Sequence, residues 1–135
     1  MVGSGPVDAA QAIADLTEIS SQIEHVVLVD DGGAVLGSNL DDEARAQRLA
    51  TGATQLLAES TTAAGGDGEA VQLEAALPEG SVFVVRDSGH TIAATTGPEP
   101  TVGLVFYDLK SALRGLEAAP AKPKRRTKKD ADGAA

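Results

Sequence analysis

HVVLVDDGGAVLGS, residues 25–38, holds two short apolar runs on either side of an acid and glycine turn. His25 to Asp30 is rich in β-branched residues and too short for a stable helix, so it reads as a strand. Asp31-Gly32-Gly33 supplies the positive φ angles that a tight hairpin turn demands. Ala34 to Ser38 then returns as a second strand. The result is an antiparallel hairpin, and the segments around it have a different period.

Upstream, Asp8 is placed to cap a first helix running to about Glu24. Its Ile13, Leu16, Ile19 and Ile23, with Ala9 and Ala12, recur at three- and four-residue steps along one stripe. Downstream, Asp41 or Asp42 caps a second helix running to about Ser60, with Leu49, Ala50, Ala53, Leu56 and Leu57 at helical spacing. Ala63-Ala64-Gly65-Gly66-Asp67-Gly68 is a loop by composition. Val71, Leu73, Ala75 and Leu77 alternate with Gln72, Glu74 and Ala76, the pattern of a strand with one polar face at a sheet edge. Ser81 to Arg86 is apolar nearly throughout, as expected of a strand covered on both faces, and His90 to Thr96 is the fifth strand. In VGLVFYDLKSALRGL (102–116), Val102, Val105, Phe106, Leu109, Ala112, Leu113 and Leu116 fit a helix better than the buried run Leu104-Val105-Phe106 fits a strand.

The order is therefore helix, two strands, helix, three strands, helix, an α/β (α+β) pattern. It divides the 135 residues into a flexible lead (1–7), one domain (8–117) and a disordered basic tail (118–135). Aromatic residues are only 2% of the chain, so the core is built from small aliphatic side chains, and dimerisation is a natural way to bury more surface. From Glu117 onward there are six basic and three acidic residues (+3), whereas Met1 to Leu116 holds five basic and seventeen acidic residues (−12). The body should repel polyanions and the tail attract them. With no cysteine, the chain has neither a disulfide framework nor a thiolate site. Met1 to Pro6 lacks the charged and apolar regions of a secretion signal, and no apolar run approaches a membrane span, so a cytoplasmic location is expected.

Residues with chemical potential are few. Neither Gly32-Gly33 nor Gly65-Gly66-Asp67-Gly68 continues into the Gly-Lys-Ser/Thr of a phosphate loop, and turn chemistry explains both. Asp87, Ser88 and His90 are the residue types of a hydrolytic triad. As neighbours in one hairpin turn they diverge rather than converge, so no catalytic residue is expected. His25 and His90 are the only histidines, and a metal site would need Asp30 or Asp31 to join them. Asp30-Asp31 and Asp41-Asp42-Glu43 suit a turn and a helix start, where acids are favoured anyway. No cofactor is expected. Arg45, Arg48, Arg86 and Arg114 could each serve as an arginine finger toward a phosphoryl group, but they read first as surface arginines. Lys122, Lys124, Arg125, Arg126, Lys128 and Lys129 form the densest charge run, a candidate polyanion-binding segment without aromatic residues for base stacking.

Three stretches together resemble the Roadblock (dynein light chain) family, bacterial type: LTEISSQIE running into HVVLVDDGGAVLGS, ARAQRLATGATQLLAES, and SVFVVRDSGHTIAATTG followed by VGLVFYDL. The likeness covers about Ala9 to Leu116 and rests on hydrophobic patterns rather than signature residues. It implies a five-stranded antiparallel sheet with the middle helix on one face and the terminal helices on the other. It also implies a dimer in which middle helices pack together and third strands pair. That places Leu49, Ala53, Leu56, Leu57, Val71 and Leu73 at the seam. A non-enzymatic homodimeric scaffold that binds and regulates a small Ras-like GTPase, as an activator or adaptor, is the function the resemblance implies. The alternative is a dimeric nucleic-acid or anionic-membrane adaptor acting through the tail.

Overall fold

A computed structural model of the chain, described over residues 8–65 and 72–118, begins with α1 (Ala9–Ile19), β1 (Ile23–Val29) and β2 (Val35–Ser38). It continues through α2 (Glu43–Ala64), β3 (Gln72–Leu77), β4 (Gly80–Asp87), β5 (His90–Thr96) and α3 (Val102–Ala118). All strand pairs are antiparallel, in the order β2-β1-β5-β4-β3. The expected element order and sheet are those observed. The basic run Lys122 to Lys129 and Val71 lie outside the described residues.

Strand alternation divides the core into two layers. On one face Val26, Leu28, Phe83, Val85, Ile92 and Ala94 meet Ile13 and Leu16 of α1 and Val105, Leu109 and Leu113 of α3. Phe83, the one fully buried aromatic, stands edge-on to Phe106 of α3 with ring centroids 5.0 Å apart. On the other face Val27, Val29, Val84 and Ala93 meet Ala46, Ala50, Ala53 and Leu57 of α2. The middle helix thus has one face to itself and the terminal helices share the other.

The hairpin at residues 25–38 closes through Asp30. Its carboxylate accepts from the backbone N–H groups of Gly32 and Ala34, each at 2.9 Å, and Gly33 takes φ +92°. Three helix ends differ in their fit to the sequence reading. Asp42 rather than Asp41 caps α2, accepting from the N–H of Ala44 at 2.9 Å. That helix runs on to Ala64, where Gly65 at φ +71° ends it. The first helix stops at Ile19 instead of Glu24. Ser20 is extended, and Ile23, read as part of the helical stripe, opens β1 opposite Thr96. A β-branched residue gains more from pairing in the sheet than from another helical turn. Ile19 is left 73% exposed.

Candidate functional site

The residues that could perform chemistry do not converge. At the tip of the β4–β5 hairpin the Ser88 hydroxyl donates to its neighbour Asp87 at 3.2 Å, and Ser88 itself sits at φ +52°. His90 is half-buried at the start of β5, with its Nδ1 buried and lacking a hydrogen-bond partner, while His25 lies within β1. Both histidines are half-buried sheet residues, His90 at the first position of β5. Arg86 forms an ion pair with Asp31 at 2.7 Å and donates to the Thr91 hydroxyl at 3.3 Å, which ties the β4–β5 hairpin to the β1–β2 turn. Arg45, Arg48 and Arg114 are exposed. Among the described residues no group of three or more His, Asp or Glu is disposed to hold a metal ion, and no helix is long and apolar enough to cross a membrane.

What the fold does assemble is surface. The buried stripe of α2, Ala46, Ala50, Ala53 and Leu57, repeats at four- and three-residue steps, and its alanines let the helix axis approach the sheet closely. The helix lies mainly over β1, β5 and β2 and still buries Val84 of β4, so among the described residues the β3 edge of the same face is the part it covers least. There Leu73 and Val82 are half-buried at the rim of the cluster, Ala75 is half-buried, and Leu77 is 56% exposed. Alternation puts Leu73, Ala75 and Leu77 on this face, while Gln72, Glu74 and Ala76 turn to the other. The outer edge of β3 pairs with no strand among the described residues.

The seam residues expected from the sequence divide accordingly. Leu49 and Leu56 lie about a quarter-turn from the buried stripe, on one shoulder of α2, half-buried and exposed respectively. Leu73 stands beside the open edge. Ala53 and Leu57, by contrast, already have their surface covered by their own sheet, with 1% and 6% exposed. They seat the helix rather than face outward. Ala75, Leu77 and Val82 were not singled out for the seam. The alternation of Ala75 and Leu77 is legible in the sequence, whereas Val82 sits in a run read as covered on both faces, and how much of each is covered depends on where α2 lies.

A second apolar surface lies on the opposite side, in a groove of about 280 Å³ between α1 and α3. Leu16, Ile19 and Ala112 line it together with Tyr107, 64% exposed at its mouth. Two carboxylates, Asp15 and Asp108, share its walls. Nothing in the sequence pattern marked this groove, because α1 and α3 are far apart in the chain and each reads only as an amphipathic helix.

No family model and no curated protein matches the sequence. Solved structures do match. The chain is similar to a Roadblock/LC7 domain from Streptomyces avermitilis at 22% identity and TM-score 0.72, over 82% of this chain and 96% of that one. It is also similar to Myxococcus xanthus MglB at 19% identity and TM-score 0.62, over 79% and 83% of the two chains. The gliding protein MglB of Thermus thermophilus matches at 16% identity and TM-score 0.62, over 87% and 100%. At these identities the likeness is one of fold, and the fold is that of the Roadblock/LC7 domains.

Proposed function

We propose, from the Roadblock/LC7 fold as premise, that this chain is a cytoplasmic homodimeric scaffold that binds and regulates a small Ras-like GTPase without chemistry of its own. The observation that carries the reading is the half-covered apolar face beside α2, where Leu73, Ala75, Leu77 and Val82 border a strand edge that pairs with no strand among the described residues. A second copy brought edge to edge along β3 would continue the sheet and lay its own α2 over that face. Strand addition of this kind supplies main-chain hydrogen bonds, and the apolar side chains then supply burial. Regulation of a GTPase is what the family resemblance implies for bacterial members, and the similarity to two MglB structures supports the same reading.

Leu73→Arg places a charge in this seam. The mass in solution by light scattering should fall from dimer to monomer, and Leu56→Glu should weaken the dimer in the same direction. A dimer mass unchanged by both substitutions would count against this seam. For the partner, the full chain serves as bait in native extract, followed by GTP-hydrolysis rates of any recovered small GTPase with and without the chain. The reading fails if only nucleic acid or membrane is recovered, and recovery is lost without Lys122 to Ala135.

A further inference from the structure

The groove between α1 and α3 lies on the face opposite the proposed seam, and the scaffold role does not use it. Its most unusual occupant is Asp108, which is 9% exposed and has no hydrogen bond or ion pair among the described residues. Its carboxylate oxygens remain accessible from the groove, with Leu16 and Ala112 on the same walls, so a cationic group entering there can pair with them. Asp15 adds a second negative charge on the α1 side, while Ile19 and Tyr107 leave the mouth apolar and open. A fitting ligand must combine cationic heads with aliphatic bodies. Lysine and arginine side chains do so, lying along apolar surface while their heads reach an acid.

The chain carries such a segment. Six of the eight residues from Lys122 to Lys129 are basic, while Met1 to Leu116 has a net charge of −12. Only three residues separate Lys122 from Ala118, the last residue of α3, and α3 is itself one wall of the groove. Asp108 lies ten residues back along that helix, about 15 Å at the helical rise. Extended chain spans about 3.4 Å per residue, so Lys124 and Arg125 can double back to it. We propose that Lys122 to Lys129 docks in the α1–α3 groove of its own chain, pairing one cationic side chain with Asp108 and another with Asp15. Docking covers Tyr107 and Ile19, and a competitor for the segment would uncover them.

Tyr107 is the only tyrosine, and the chain has no tryptophan, so its fluorescence reports on this groove alone. The experiment is acrylamide quenching of the full-length chain at low salt. It compares the parent with a variant carrying Lys122→Ser, Lys124→Ser, Arg125→Ser, Arg126→Ser, Lys128→Ser and Lys129→Ser, and with Asp108→Asn, each checked for an unchanged circular dichroism spectrum. Acrylamide is neutral, so altered charge does not itself change quenching. The quenching constant should roughly double in both variants as the covering stems leave the ring. In the parent it should rise towards the same value at high salt, where the Debye length shrinks to a few Å. Equal quenching of parent and six-serine variant at low salt would overturn the proposal. An increase in the six-serine variant but not in Asp108→Asn would overturn the pairing with Asp108. Protection that disappears on dilution would overturn docking within one chain, because the segment would then come from a neighbouring copy.

Discussion

Gly80 opens β4 at φ +156°, and a Cβ there would overlap the carbonyl oxygen of Thr96 at the end of β5. The backbones approach so closely because β4 and β5 pair along their length, with Val82 opposite Thr95. Gly80→Ala must either open this pairing or bend the turn at Pro78-Glu79. It should destabilise the fold by about 1–3 kcal/mol, read from the urea midpoint at unchanged slope. Gly80 follows the turn at Pro78 and Glu79 and is the first residue of β4. That the same position also faces the backbone at the far end of β5 is a property of the register, which no local pattern carries. Asp42 is the converse case: its role as a cap is local, and the sequence narrowed it to two adjacent aspartates.

At the scale of the element, α2 shows where periodicity stops being informative. Leu49, Ala50, Ala53, Leu56 and Leu57 form one broad apolar face on a helical wheel, and all five read alike. The sheet takes Ala46, Ala50, Ala53 and Leu57, leaving Leu49 and Leu56 on the shoulder. Burial of only part of a wide stripe is decided by the tilt and rotation of the helix against its neighbours. The two groups respond differently to substitution. Ala53→Leu forces added volume between α2 and the sheet and should cost about 1–3 kcal/mol in chemical denaturation. Leu56→Glu should leave the monomer fold intact and act on association. The end of α1 teaches the same lesson from the other side. Ile19 and Ile23 both fit the helical stripe, yet Ile23 pairs in β1 and Ile19 is exposed, because a strand partner outweighs one more turn.

For the whole molecule, a core with Phe83 as its one fully buried aromatic relies on Val, Leu, Ile and Ala, each burying modest area. Such a domain gains from burying the apolar face beside β3 against a second copy. If the homodimer forms, folding and association are linked, and the thermal midpoint should rise with protein concentration in differential scanning calorimetry. A midpoint independent of concentration would argue for a monomer that carries its stability alone. The sequence by itself determined the number, order and type of the elements, because helix and strand periods, turn residues and caps are short-range properties of neighbouring side chains. It also determined the charge division between body and tail. Only the tertiary structure decided that α2 leaves Leu73 and Ala75 half-buried, that Ala53 and Leu57 turn inward, and that Asp108 and Asp15 share the walls of one groove. Those outcomes depend on contacts between segments tens of residues apart, whose geometry is set by strand order and helix placement rather than by any local pattern.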